Sequence, residues 1–456
     1  MAPERVRIGC RIGRSIGRSI GRIAFAARPG HLALSESSRD LSAPITPESP
    51  MPETAQPASA LPRFEAAVVG AGAAGLAAAL ALARAGIPTA LVGRHAPVAD
   101  GRTVALLDGS VRFLDALGAW AGLAEKAAPL AVLQIVDDTG SLFRPPPVRF
   151  HAGEIGLDAF GWNVENAALV EALRARARAT PDLTLVERDA AGFAAGEAFA
   201  RIDTVEGEAV EARLVVAADG ARSRLRAESG LPTRDWSYPQ AALTTLLAHE
   251  RPHGDVSTEF HTREGPFTLV PLPGGRRSSL VWVADRTRAE CLSALSDTAL
   301  AEAVTARARH MLGAMRIDGP RGLVPMRGLS VATPVAHRLA LVGEAAHVFP
   351  PIGAQGLNLG LRDAAALRDA VVAARGDRRD PGARAALSGF ARARRRDAAL
   401  RTLAVDGLNR SLLTHLLPVD ALRGLGLVAL SAIGPLRRAV MREGVLPRRD
   451  APELMR

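Results

Sequence analysis

The chain has 456 residues, 48% of them apolar, with 57 Lys and Arg against 47 Asp and Glu and a formal net charge of +10, enough apolar material to bury a large core in two or three lobes. Aromatics make up 4%, Lys126 is the only lysine, and no dense basic cluster is interleaved with aromatics, so the composition argues against a nucleic-acid partner and reads as the Arg/Ala bias of a GC-rich genome. No run of about 18 apolar residues is present to cross a membrane as a helix.

Residues 1–60 differ from everything after them. RIGRSIGRSIGRIAFAARPG repeats Ile-Gly-Arg-Ser units, and SAPITPESPMPETAQPASALP is rich in Pro, Ser and Thr, so a disordered leader is expected. An Arg- and Ser-rich, acid-poor leader suits a mitochondrial transit peptide or a charge contact with anionic lipid. Translation starting at Met51 explains it with fewer assumptions. Residues 1–50 hold eight Arg and four acids, so without them the charge falls from +10 to +6.

FEAAVVGAGAAGLAAALALARAGIPTALVG, from Phe64 to Gly93, predicts a strand–helix–strand unit. Ala66–Val69 is the first strand, a helix runs to about Arg84, Gly86 stops it, and Thr89–Val92 is the second strand. Gly70, Gly72 and Gly75 give G-x-G-x-x-G, whose glycines serve a tight turn, close backbone approach to a pyrophosphate, and close packing of helix on strand. The helix start turns free N–H groups and a positive dipole end toward phosphate. An ADP-type dinucleotide is therefore expected here. The acid that grips a ribose at the end of the second strand is missing: Gly93 and Arg94 stand there, and Asp100 follows past a loop.

DGRTVALLDGSVRFLDALGAW (Asp100–Trp120) and GWNVEN (161–166) come next, then EARLVVAADGARSRLRAESGL. In the last, a strand at Leu214–Ala218 breaks at Asp219-Gly220 before a basic helix, giving D-G-x-x-S-x-x-R through Ser223 and Arg226. Arg234–Asp285 has short apolar runs split by Gly, Pro and charged residues, a strand-rich lobe with a hairpin turn at Gly274-Gly275. His249, His253 and His261 lack metal-ligand spacing and read as solvated loop positions, so no metal is expected. Cys10 and Cys291, the only cysteines, offer no disulfide framework, and the chain reads as intracellular.

LALVGEAAHVFPPIGAQGLNLGLRDAAAL (Leu339–Leu367) ends a strand on Gly343-Glu344, crosses Pro350 and Pro351, and enters an alanine-rich helix through Gly353, Gln355, Gly356, Asn358 and Gly360. A bound flat polar molecule and a tight structural turn would each ask for this order. His347 has no second ligand at suitable spacing; it reads as a hydrogen-bonded wall residue and only weakly as an acid–base group. Beyond Asp363 the chain is helical. LLPVDALRGLGLVALSAIGPLRRAVMREG is expected to be a covering helical lobe, with contact to a membrane surface as the other reading.

Taken together over roughly Phe64 to Asp397, the G-x-G-x-x-G, Asp219-Gly220 and Gly343-Glu344 segments resemble the class A flavoprotein monooxygenases, the family of para-hydroxybenzoate hydroxylase. GWNVEN and FPPIGAQGLNLGLRD (349–363) are similar to the ubiquinone-biosynthesis hydroxylases within it. The resemblance implies an α/β fold: an FAD-binding Rossmann-like domain of glutathione-reductase type (63–130, 155–232 and 325–375), an inserted antiparallel β-sheet substrate domain (131–154 and 233–324), and a C-terminal helical region (376–450). It implies FAD contacts from Gly70, Gly72, Gly75, Arg102, Asp219, Gly220, Glu344, Pro351, Gly353, Gln355, Gly356, Leu357 and Asn358. Glu344 stands where the family carries Asp, one methylene longer, and would accept a hydrogen bond from the ribityl chain. Phe267, Leu269 and Pro271 are implied to line the substrate, with core packing as the alternative.

The implied activity is hydroxylation of the aromatic ring of a polyprenylated phenol or quinol through a flavin C4a-hydroperoxide. O2 would be co-substrate and NAD(P)H or an electron carrier the reductant, since no second dinucleotide motif is visible. Other ubiquinone-biosynthesis proteins are implied as partners, in the cytoplasm and at the periphery of the inner membrane, or on the mitochondrial matrix side if the leader is a transit peptide. The rivals are a prenyl reductase or a different aromatic hydroxylase of the same superfamily, and a non-catalytic flavin-binding subunit. A halogenase is disfavoured, because Trp120, Trp162, Trp236 and Trp282 form no Trp-x-Trp motif.

Overall fold

Ala66–Val69, Leu214–Ala217 and Leu339–Leu341 are buried along their whole length, the pattern of parallel strands covered on both faces. They form the middle of one open sheet in the computed structural model, which describes residues 61–95, 101–140, 145–350, 353–413, 417–445 and 451–456. The leader and Pro351, for which expectations were stated, lie outside the described residues. Side by side, the main strands are Val335–Ala336, Leu339–Leu341, Ala209–Ala217, Arg63–Val69, Thr89–Val92 and Leu183–Val186. The last five run parallel. The helix Ala73–Ala83 has ten of its eleven residues buried. Its alanines let it sit close to the sheet and to the helices Asn166–Arg178 and Gln355–Gly376 at once.

A second sheet of nine strands carries the middle of the chain. Its order is His347–Val348, Gly322–Val331, Thr233–His249, Arg277–Asp285, Gly265–Leu272, Val256–Thr262, Val132–Asp137 and Val148–His151, with Met315–Ile317 added beside Thr233–His249. Its pairs are antiparallel except Val132–Asp137 with Val256–Thr262. The hairpin turn is where the glycines predict it: Gly274 and Gly275 have φ of +94° and +74°, which side chains resist. The domain boundary expected at 324/325 falls inside the strand Gly322–Val331, which stays paired with Thr233–His249 as far as Val331.

One further expectation is corrected by burial. His249, His253 and His261 are not solvated; their exposures are 6%, 7% and 3%. Burial is tolerated because each ring is hydrogen-bonded, His249 Nδ1 to the Arg251 carbonyl at 2.7 Å, His253 Nε2 to the Leu272 carbonyl at 3.0 Å and His261 Nε2 to Glu259 at 2.8 Å.

A C-terminal helical region follows, built of Ser388–Leu413, Leu417–Ala432 and Gly434–Val445. Leu427 and Met441 from the last two pack on Val148, Phe150 and Phe160, so these helices cover one end of the second sheet.

Candidate active site

The three motifs meet because their strands are neighbours in register. Val69 pairs with Ala217 and Ala217 with Leu341, all in parallel strands. Gly70, Asp219 and Gly343 therefore leave the sheet at the same carboxyl edge. That edge, where the chain turns to opposite sides of the first strand, is where open parallel sheets bind ligands.

Each glycine of the first loop meets a different demand. Gly70 has φ +117°, and a Cβ there would lie 2.3 Å from the Ala218 carbonyl oxygen. At Gly75 a Cβ would lie 1.8 Å from the Gly70 carbonyl oxygen, so this residue closes the helix onto the loop. Gly72 alone faces open space, with nothing within 4 Å of its Cβ position. Gly93 stands in place of the ribose acid for a steric reason: a Cβ would meet the Ala71 nitrogen at 2.9 Å. The second strand thus ends tight against the glycine loop. Arg94 turns away to Asp189 and Glu206.

Asp219 Oδ2 accepts the Arg224 N–H at 2.9 Å, while its Oδ1 is buried and without a partner. Ser223 Oγ caps the short helix that follows, accepting the Arg226 N–H at 3.0 Å. Arg226 then donates to the Ala345 carbonyl at 2.9 Å, tying this motif to the turn Gly343–Ala345. Glu344, in that turn, is exposed and has no side-chain hydrogen bond among the described residues. Gly343 (φ +61°) packs on the helix Gln355–Gly376, where a Cβ on Gly360 would come within 3.0 Å of the Gly343 Cα.

The start of that helix is held by side chains. Gly353 has φ +64° and Ala354 φ +54°, a left-handed turn that brings the chain sharply into the helix. Asn358 Nδ2 donates to the Ala354 carbonyl at 2.6 Å and to the Ala105 carbonyl at 2.7 Å, and its Oδ1 accepts the Leu107 N–H at 2.9 Å. This staples the helix start to the strand Thr103–Leu107, which exposed Arg102 immediately precedes. Gln355 Nε2 donates to the Gly353 carbonyl at 2.9 Å and its Oε1 accepts from Arg401. Gln355 therefore shapes the turn with its side chain. Gly356 leaves its Cβ direction open, and Leu357 packs against the core of the first lobe.

Sequence reasoning passed over the centre of this region. Asp363, fully buried, accepts from Gly343 N at 2.9 Å and Arg394 Nε at 2.5 Å and lies 2.6 Å from His347 Nε2. Burial alone would raise its carboxyl; the charges of His347 and Arg394 outweigh burial and hold it below the usual carboxylate range. His347 is thus a buried wall residue anchored on Asp363, with Nδ1 unpartnered. Asp363 was visible as the end of the quoted Arg-Asp pair. Arg394 was not, being one of four arginines between Ala391 and Arg396.

On the second sheet the three expected residues, at alternate positions of one strand, share the face turned away from the first lobe. Phe267 and Leu269 lie in the core against the helices Arg286–Ser293 and Asp297–Arg307, and Phe267 meets Trp282 edge-on at 5.2 Å. They do not face the first lobe, because side chains alternate along a strand. The opposite face does: Val270 pairs with Ser279, whose hydroxyl accepts from Thr103 Oγ1 at 2.8 Å. Thr268 and Val281, paired and half-buried, belong to that face. Pro271 is buried, and its carbonyl accepts from Asn163 Nδ2 at 2.8 Å. A separate cleft of about 480 Å³, lined by Asp297, Glu302, His310 and Arg316 among others, contains none of the expected site residues.

The residues present fit FAD. Asp219 Oδ1 offers a buried acceptor without a partner, and Gly72, Gly220 and Gly356 leave open space beside the backbone. The helices Ala73–Ala83 and Gln355–Gly376 both begin without a side-chain cap, leaving N–H donors and two positive dipole ends for an anionic group.

Comparison with known proteins agrees. The family described as FAD binding domain matches residues 63–383. The chain is 34% identical over 400 residues to ubiquinone hydroxylase UbiL of Rhodospirillum rubrum, covering 85% of this chain and 90% of that one. It is 30% identical over 389 residues to 3-demethoxyubiquinol 3-hydroxylase of Escherichia coli, covering 83% and 97%. Its fold is that of p-nitrophenol 4-monooxygenase PnpA from Pseudomonas putida, with TM-score 0.68, 18% identity, and coverage of 84% and 98%.

Proposed function

Since the chain belongs to the FAD-binding-domain family of monooxygenases, with ubiquinone-biosynthesis hydroxylases as relatives, we propose that it hydroxylates the aromatic ring of a polyprenylated phenol or quinol on the ubiquinone pathway. The observation that carries this reading is the convergence of Gly72, Asp219 and Glu344 at one sheet edge, beside a half-buried face of a second sheet.

When bound, FAD supplies the redox chemistry that activates O2, with NAD(P)H or an electron carrier as reductant. The protein's own part is placement. Gly72 and the uncapped start of Ala73–Ala83 would receive the pyrophosphate, and Glu344 and the Asp219 carboxylate would accept from the cofactor's hydroxyls. The uncapped start of Gln355–Gly376 would offer its N–H groups to negative charge on the flavin. Thr268, Val270 and Val281 would line the substrate side of the sheet and limit the water around the ring. No nucleophile–base pair is required, because the substrate hydroxyl activates its own ring.

Exposed Leu425, Leu436 and Val440 on the helices Leu417–Ala432 and Gly434–Val445, with Ile433 between them, support contact with a membrane surface, from which a prenylated substrate would enter. No single described helix is long and apolar enough to span a membrane. We place the chain in the cytoplasm at the inner membrane, beside other proteins of the pathway.

The purified protein is expected to be yellow and to release FAD on denaturation; a colourless protein that takes up no FAD refutes the reading. Lipid extracts of cells lacking it should accumulate a quinone precursor short of one hydroxyl.

A further inference from the structure

Two segments flank the flavin side of the sheet edge, the turn Gly343–Ala345 and the start of Gln355–Gly376. Both are tied to one helix outside the nucleotide-type motifs, Ser388–Leu413. From this helix Arg394 reaches Asp363, which holds the Gly343 N–H. Arg394 Nη1 also donates to Asp397 at 2.7 Å, Asp397 accepts from Arg362 at 3.1 Å and from Arg401 Nε at 2.8 Å, and Arg401 donates to Gln355. Arg394 is 5% exposed and Asp363 1%, so this chain of charges lies out of water where it is strong and intolerant of a missing member.

The same helix grips the second sheet. Tyr238 donates to Asp406 at 2.6 Å, and Asn409, fully buried, donates to the side-chain Oε1 of Gln240 at 3.1 Å. Arg394 and Asn409 stand 15 positions apart, about 22 Å along a helix. One rigid element therefore contacts both segments at the flavin and the longest strand of the sheet lobe.

We propose that Arg394 and Arg401 are positioning residues for the flavin, acting through Asp363 and Gln355, and that Ser388–Leu413 is a strut linking the flavin edge to the substrate lobe. The inference rests on the flavin reading above. It makes the first helix of the C-terminal region part of the cofactor site.

Arg401→Gln is the deciding variant. Arg401 sits at the partly exposed end of the chain of charges, so the variant leaves no fully buried ion alone and should fold. Its apo-protein should bind FAD about tenfold more weakly, the loss of one charge-assisted hydrogen bond. The midpoint potential and visible absorption bands of its bound flavin should also move, and Arg401→Lys should recover most of the affinity. Arg394→Met should have a larger effect, but it strands Asp363 and is expected to fold poorly. If Arg401→Gln keeps the wild-type FAD affinity and midpoint potential while only its melting temperature falls, the residues are structural and the inference is overturned. Wild-type protein that takes up no FAD overturns the flavin reading together with it.

Discussion

Gly72 and Gly75 are three residues apart, and the structure assigns them separable roles. At Gly75 a Cβ would lie 1.8 Å from the Gly70 carbonyl oxygen, whereas real Cβ contacts stay beyond 3.0 Å, so the helix and loop must part by 3.0 − 1.8 = 1.2 Å. The Ala218 Cβ at 3.2 Å blocks the sideways escape. Overpacking against backbone on this scale costs about 3 kcal/mol or more. At Gly72 the backbone is extended (φ −79°, ψ 177°), and nothing lies within 4 Å of the Cβ position. Gly72→Ala should therefore change stability by no more than about 0.5 kcal/mol. Its methyl, however, enters the space that a pyrophosphate needs, and FAD affinity should fall at least about tenfold. Thermal melting of the apo-proteins and FAD titration separate the two. Gly75→Ala should melt several degrees low, and Gly72→Ala should melt normally but bind poorly. The reasoning is refuted if Gly72→Ala retains wild-type affinity, or if Gly75→Ala melts like wild type.

Three other outcomes are expected. Phe267→Ala should cost about 3–5 kcal/mol of stability, as for a large side chain removed from a core, yet leave the KM for substrate near wild type; Val281→Trp, on the opposite face, should raise KM and leave FAD content unchanged. Asp363 and Asp397 both have carboxyls lowered in the folded state despite burial, Asp363 by His347 and Arg394 and Asp397 by Arg394, Arg401 and Arg362. Their stabilisation is therefore complete above the ordinary carboxylate value of 3.8 and is lost as pH falls through the lower folded values. Melting temperature followed from about pH 5 to pH 2 should drop steeply in wild type and less steeply in Asp397→Asn, which starts lower; parallel curves would contradict this. Removal of residues 1–50 should leave melting temperature and FAD content unchanged, as checked by calorimetry and absorbance.

What could be read from residues alone was whatever depends on the local backbone. Gly70, Gly75, Gly274 and Gly343 mark places where a left-handed φ or a near contact tolerates no side chain, and such demands are written at single positions. Strand, glycine turn and helix follow one another within a few residues, so the three motifs and the hairpin were legible.

Tertiary structure alone decided the rest. The step from Phe267 and Leu269 to Thr268 and Val270 is one residue, and it reverses which face meets the flavin lobe. No local pattern announces it when both faces are partly apolar. The reason for Gly93 lies with Ala71, some twenty positions earlier. Arg394 looks like its three neighbours until Asp363 appears beside it, because the partner of a buried charge is chosen by how distant segments dock and not by the residues on either side.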